Sequence, residues 1–374
     1  MRAVMDRRRL MILVLCTALL LGGCEAAGPA PTHTPPSLAS AAPTAARATP
    51  TATPLPGEGP MPTVPAAGPL RPSVSPGGVI TPDNVGQVAE LGHWGAGYAI
   101  RLAYSPDGRQ VAVATPLGIT FRDAETMAVH RTLEAESEIA YVAFSPDWQI
   151  VALASENQIR LRRLSDGGML LALERQEGSE APLAFTPDGS LLVSMAFPPG
   201  DEVYTGAVEL WHVTDGTLLK TWDSGGSRLA VSPDGTLLAT WYAQAGARLW
   251  SIPDGELVHS LEVYESGVWV AFSPDGETLA CVGMDGVIHL WRVADWTQMQ
   301  EMGSGVQEVL YSPDGTLLVS LAYDGTIEVW SVAEGRALHA FGSGSGYSGT
   351  PLAFSPDGET LASAVLGVQF WQVP

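Results

Sequence analysis

From about residue 79 onward, short apolar runs alternate with clusters of turn residues, and the runs come in a fixed order. The run Val268–Phe272 precedes Ser273-Pro274-Asp275-Gly276, and Thr278–Val282 follows it. Two strand-like segments flanking a turn predict a hairpin. The second run of each unit is dense in apolar residues, as in Val111-Ala112-Val113-Ala114 and Leu317-Leu318-Val319-Ser320. That density predicts a strand buried on both faces. The third run alternates and closes on Trp: Val208-Glu209-Leu210-Trp211, Ala247-Arg248-Leu249-Trp250, Ile288-His289-Leu290-Trp291, Ile327-Glu328-Val329-Trp330 and Val368-Gln369-Phe370-Trp371. Period-two alternation fits a half-buried strand. Each unit therefore reads as strand a, turn, strand b, turn, strand c, turn, strand d. The first two units depart at strand c, with Ile119-Thr120-Phe121-Arg122 and Ile159-Arg160-Leu161-Arg162.

The a–b turn sets the period. Ser-Pro-Asp-Gly begins at Ser105, Ser232, Ser273, Ser312 and Ser355, with variants Ser145–Trp148 and Thr186–Gly189. Successive copies lie 40, 41, 46, 41, 39 and 43 residues apart. A period near 40 defines a repeat architecture. In the tetrapeptide Ser suits the first turn position, Pro presets φ at the second, Asp tolerates the third, and Gly takes a left-handed conformation at the fourth. The seven Asp residues therefore read as turn residues rather than as ligands or catalysts. Trp148 stands where Gly is expected. A non-Gly residue in a left-handed conformation costs on the order of 1 kcal/mol. Trp148→Gly is thus expected to stabilise the fold modestly, unless the indole contacts a neighbour.

The period, the turn and the Trp closing strand c resemble the WD-repeat family over about 79–374. The resemblance implies an all-β fold, a seven-bladed β-propeller of four-stranded antiparallel blades around a central channel. It also implies a structural network of His, Ser in strand b, Asp in the b–c turn and Trp. Asp285 and Asp324 fit the b–c Asp, whereas the His is largely missing. TolB-type propellers share the Ser-Pro-Asp-Gly turn, and the strand-c Trp favours the WD resemblance. The last unit ends after strand c, so Val85–Leu91, ahead of the first strand a, is expected to supply strand d of the seventh blade. Joining the two termini in one blade removes an open edge.

The N-terminus departs from this pattern. Arg7, Arg8 and Arg9 precede the apolar stretch Leu10–Leu21, which is short for a membrane span, and Leu21-Gly22-Gly23-Cys24 follows. This resembles a bacterial lipoprotein signal. The resemblance implies residues 1–23 as signal peptide, thioether lipidation at Cys24 with palmitate-type acylation, and a lipid-anchored protein on the extracytoplasmic side of the cell envelope. Residues 24–78 are rich in Pro, Ala and Thr and lack the apolar residues needed to offset ordering entropy, the composition of a disordered tether. Its flexible-coil reach is ~40 Å.

Charge narrows the partners. The chain of 374 residues carries a net charge of −21, which argues against nucleic acid, since phosphate binding needs a basic surface. Cys16, Cys24 and Cys281 make no disulfide framework, and Cys281 reads as an inert buried thiol. The d–a and b–c loops of a propeller share one face. By sequence they hold Glu134, Glu136, Glu138, Glu174, Glu177, Glu180, Asp201, Glu202, Asp223, Glu262 and Glu265. Such a face steers a basic partner. His93, Trp94, Tyr98, Tyr204, Tyr264 and Tyr347 fall there too, and aromatic residues among charges suit protein contact. Candidate partner-binding residues are therefore Trp94, Tyr98, Asp201, Glu202, Tyr204, Tyr264 and Tyr347.

Apparent catalytic motifs do not hold. Gly344–Gly349 fits GxGxxG by letter but precedes a strand rather than a helix. The His residues show no zinc spacing. The sequence thus reads as a monomeric, non-enzymatic scaffold for a protein or peptide partner, without cofactor, metal or catalytic residues. Two alternatives stay open: a propeller enzyme or small-ligand or cation sensor with a site at the channel mouth, and a TolB-like envelope assembly factor.

Overall fold

The computed structural model describes residues 78–94, 99–155, 158–174, 182–196, 206–223, 228–242, 246–261, 267–342, 351–364 and 368–372. The chain divides into two units, Met1–Met61 and Pro62–Pro374, and every described residue lies in the second. Seven four-stranded antiparallel sheets form this unit, a seven-bladed β-propeller. Blade 1 spans residues 101–134, blade 2 141–174, blade 3 183–223, blade 4 229–261, blade 5 267–302 and blade 6 306–341. Blade 7 combines 352–372 with an N-terminal strand. In every blade the strands are ordered a-b-c-d, and the a strands of successive blades pack beside one another around the axis.

The tetrapeptide makes all seven a–b turns in one way. In blade 1 the Gly108 N–H donates to the Ser105 carbonyl at 2.8 Å, and the Ser105 N–H to the Gln110 carbonyl at 2.9 Å. The Ser105 hydroxyl donates to Asp107 Oδ1 at 2.6 Å and accepts the Gln110 N–H at 2.9 Å. Asp107 also accepts the Arg109 N–H. The Ser or Thr to Asp bond recurs in the other six turns at 2.5–2.6 Å. The fourth residue sits at φ 70–74° in the six Gly copies, a type I turn followed by a left-handed residue. The hydroxyl, and then the backbone N–H, hold Asp107, Asp188, Asp234 and Asp275 below the ordinary carboxylate range. These carboxylates are engaged by their own turns.

The turns also touch one another. A Cβ placed on the turn Gly of blades 1, 3, 4, 5, 6 and 7 would lie 3.3–3.7 Å from the turn Pro Cδ of the preceding blade. Blade 2 breaks the series with Trp148, at φ 58°. Its half-buried indole stacks on Phe144 at 4.7 Å and packs against the apolar cluster of blades 1 and 2. The condition attached to the expected gain from Trp148→Gly is therefore met: the side chain has a neighbour.

The N-terminal segment closes the ring, with shifted bounds. Strand d of blade 7 is Ala89–Trp94, paired with Val368–Gln372 from Ala89 opposite Gln372 to Trp94 opposite Val368. The expected stretch, Val85–Leu91, begins too early. Val85–Gln87 forms a 3-10 turn. Asn84 accepts the Thr81 N–H at 2.7 Å and donates to the Val79 carbonyl. Ile80 and Val85 are buried among Leu317, Val329, Leu352 and Trp371 of blades 6 and 7. Burying Val85 as a plug holds it out of strand geometry. The Ile80 N–H donates to the Gly358 carbonyl, which ties this strap to the blade 7 turn.

Inside the blades, strand c Trp bonds strand b. Trp211, Trp250, Trp330 and Trp371 donate Nε1–H to Ser194, Thr240, Ser320 and Ser363 at 2.9–3.1 Å. Ser194 also donates to buried Glu209 at 2.9 Å. In blade 5 the register places Cys281 at the hydroxyl position, and the buried Trp291 Nε1 has no hydrogen-bond partner. Cys281 is a free, buried thiol whose pKa burial pushes far up. In blades 1 and 2 Arg122 and Arg162 replace the Trp, and Val113 and Leu153 replace the hydroxyl. Donor and acceptor are thus lost together. Arg162 donates instead to the Gly167 and Glu134 carbonyls at 2.8 and 2.9 Å.

Candidate functional site at the channel mouth

Of the residues singled out from sequence, Cys24, Tyr98, Asp201, Glu202, Tyr204, Tyr264 and Tyr347 lie outside the described residues. So do Glu177, Glu180, Glu262, Glu265 and the 344–349 glycine stretch. Trp94 ends strand d of blade 7, and its side chain lies outside the described set. Glu134, Glu174 and Asp223 end d strands and are exposed, as are Glu136 and Glu138 in the loop that follows blade 1. Antiparallel order places these positions on the same face as the start of every a strand.

That face also displays apolar tips. Leu117 on the b–c turn of blade 1 is 82% exposed, Met284 on that of blade 5 63%, and Tyr323 on that of blade 6 49%. Large side chains held in solvent at equivalent turn tips gain nothing for the fold. The corresponding residues of blade 7, Val365-Leu366-Gly367, lie outside the described residues.

At the centre of the face is a constellation that sequence reading missed. The residue four positions before each turn Ser or Thr opens or immediately precedes strand a in blades 1 to 4 and 7, and is its third residue in blades 5 and 6. In blades 1 to 7 it is Arg101, Tyr141, Pro182, Arg228, Trp269, Glu308 and Pro351. The next three positions are nearly uniform: Leu or Val, then Ala (Leu310 in blade 6), then Tyr, Phe or Val. Aligning the units on the turn exposes this one chemically diverse column, the signal available from sequence. Ring closure brings the column together. Arg228 Nη1 donates to Tyr141 Oη at 3.3 Å, linking blades 4 and 2, and its guanidinium carbon lies 5.3 Å from the Trp269 ring centre. Glu308 is 6% exposed and accepts the Leu352 N–H of blade 7 at 3.3 Å. Burial raises its pKa to about 7, against the opposing charges of Arg101 and Arg228 and the Leu352 hydrogen bond. Among the described residues no cluster of three or more His, Cys, Asp or Glu is arranged to hold a metal.

The fold defines a seven-bladed β-propeller, and two stretches of it are similar to WD repeats. Residues 255–292 and 297–331 match the family described as WD domain, G-beta repeat. Each matched stretch runs from strand d of one blade to strand c of the next. An uncharacterized WD repeat-containing protein of Synechocystis is 32% identical over 149 residues, 38% of this chain and 41% of that protein. WD repeat-containing protein 1 of Gallus gallus is 35% identical over 98 residues, 24% of this chain and 16% of that protein. Small ribosomal subunit protein RACK1y of Oryza sativa subsp. japonica is 28% identical over 172 residues, 42% of this chain and 48% of that protein. The matches span less than half the length of each relative. Among solved structures, Kuenenia stuttgartiensis hydrazine synthase superposes with a TM-score of 0.63 at 14% identity, over 74% of this chain and 96% of that one. That likeness shows the fold alone.

Proposed function

We propose that the protein is a non-enzymatic interaction scaffold of the bacterial cell envelope that binds a protein or peptide over its d–a and b–c loop face. The observation that carries this reading is the display of Leu117, Met284 and Tyr323 at the tips of that face. Apolar side chains rimmed by carboxylates are the composition of a contact surface. Exposed Glu134, Glu136, Glu138 and Glu174 lie on the same face at blades 1 and 2 and favour a basic partner. The relatives with WD repeats support a binding role by analogy of fold.

The basic N-terminal flank, apolar core and Leu21-Gly22-Gly23-Cys24 support lipid anchoring, with the Pro/Ala/Thr-rich segment as tether. Metabolic labelling with an alkynyl palmitate tests this part. Label on the wild type that is lost in Cys24→Ala supports the anchor, and equal labelling of both refutes it.

The partner surface is tested by affinity capture from membrane extracts with wild type and a Leu117→Asp/Met284→Asp/Tyr323→Asp variant. Loss of discrete captured proteins, at an unchanged melting temperature, supports the loop face. An identical captured set in both overturns it.

A further inference from the structure

Between blades 1 and 2 the loop face holds a narrow crevice of about 240 Å³, its open mouth included. One wall is the d–a stretch that carries Glu136 and Ser137, and the other is strand c of blade 2 with Arg160. Ile139, Leu153 and Ala154 form an apolar floor. The exposed Leu117 stands beside it, because its carbonyl accepts the Ala135 N–H at 3.0 Å and the Pro116 carbonyl accepts the Ile139 N–H at 2.9 Å. A hollow with an apolar floor next to a leucine held in solvent suits the anchoring side chain of a partner. The charges around it are divided. The d–a wall reads Glu134-Ala135-Glu136-Ser137-Glu138, with three carboxylates and no basic residue. Opposite, Arg160 Nη1 donates to Ser137 Oγ at 2.8 Å, and Arg160 Nε lies 3.9 Å from Glu136 Oε2. Arg162 is spent on the Gly167 and Glu134 carbonyls. Arg160 therefore compensates Glu136. The exposed side chains of Glu134 and Glu138 make no ion pair or hydrogen bond among the described residues. By sequence the blade 2 b–c turn, Ser155-Glu156-Asn157, adds a carboxylate and no basic residue.

We propose that this crevice is the anchor point of the loop-face partner, seating one small aliphatic side chain of an extended basic peptide whose Lys or Arg residues pair with Glu134 and Glu138. The inference rests on the loop-face reading and names the chemistry that face selects. Four residues of chain span at most ~14 Å, so basic residues within two positions on either side of the aliphatic one reach both glutamates. The narrowness of the crevice favours a side chain of Ala or Val size. Exposed ion pairs contribute little affinity each, so burial on the floor and against Leu117 holds the peptide, and the glutamates set its orientation and speed its arrival. The same wall repels an acidic peptide.

Panning a displayed library of random twelve-residue peptides on the purified full-length protein tests the assignment, followed by fluorescence anisotropy with the enriched peptide. The enriched sequences should share a small aliphatic residue with Lys or Arg within two positions on both sides. Ser137→Trp, which fills the crevice from an exposed position, should weaken the peptide at least tenfold at an unchanged melting temperature. Glu134→Gln/Glu138→Gln should weaken it at least threefold and flatten its salt dependence. No enrichment, enriched sequences without basic residues, or affinity within twofold of wild type in Ser137→Trp overturns the proposal. A peptide that binds Ser137→Trp normally but is lost from Leu117→Asp/Met284→Asp/Tyr323→Asp overturns the crevice and leaves the loop face standing. A peptide unaffected by either variant overturns both.

Discussion

At the scale of single residues, local chemistry was readable from sequence and assembled chemistry was not. The turn Asp residues announced their role because Ser, Pro, Asp and Gly act within four positions. Their carboxylates are engaged by the Ser hydroxyl and the next N–H, as in Asp107 and Asp275. The partner of each strand c Trp was partly visible, since the hydroxyl and the indole come from adjacent strands. Cys281 shows what the register adds. It occupies the position held by Ser320 in blade 6, and Trp291 Nε1 is left without an acceptor. Cys281→Ser should therefore supply the bond and stabilise the protein by about 1 kcal/mol, the net value of an ordinary hydrogen bond. Urea denaturation measures this, and a lower midpoint would show that the hydroxyl does not reach the indole. Trp148 works in the other direction. Relief of the left-handed backbone returns about 1 kcal/mol. The lost stack on Phe144 removes ~0.5–1.5 kcal/mol, and lost apolar burial adds to that. Trp148→Gly should thus destabilise by about 1 kcal/mol, readable as a lower melting temperature. Glu308 carries a pH signature. Burial raises its folded-state pKa from 4.5 to about 7, so the folded protein holds the proton more tightly than the unfolded chain does. That contribution is complete below about 4.5 and is lost as pH rises through about 7. Relative to Glu308→Gln, the wild type should lose on the order of 3 kcal/mol between pH 4.5 and pH 8. Parallel melting curves across that range would contradict the burial of an ionisable carboxyl.

At the scale of elements, the blades were legible because each strand carries its own apolar pattern. The closing strand was legible only in outline. A missing strand d at one end and a spare segment at the other indicated the pairing, yet not its bounds. Val85 is apolar and reads as strand, whereas the structure uses it with Ile80 as a plug beneath blades 6 and 7. What decided this is tertiary: the apolar cluster of Leu317, Val329 and Trp371 takes in Ile80 and Val85 from a segment tied by Asn84. The strap should therefore stabilise the ring in two ways, by pairing and by plugging. Ile80→Ala, which leaves the strand intact, should cost about 2–5 kcal/mol. Removing 79–94 entirely should lower the melting temperature by more than about 10 °C or abolish cooperative unfolding. A deletion variant that melts like the wild type would show that blade 7 is stable with three strands.

At the scale of the whole molecule, the two faces of the ring differ in kind. One is tiled by near-identical turns whose Pro and Gly residues abut from blade to blade. The other carries exposed carboxylates, the apolar tips and the mixed column at the mouth. The mouth escaped sequence reading because its members stand about 40 residues apart and meet only when the ring closes. Aligning the units on the turn recovers them, since Arg101, Tyr141, Arg228, Trp269 and Glu308 share one position relative to it. Uniformity on one face and diversity on the other argue that recognition belongs to the second. Site-specific photo-crosslinking in intact cells measures this directly, with the crosslinker placed in turn at Leu117, Met284 and Tyr323, and at Pro106 and Pro313 on the opposite face. Discrete adducts from the first three positions and none from the two prolines are expected. Adducts from Pro106 or Pro313 alone, or from no position, would contradict a loop-face scaffold.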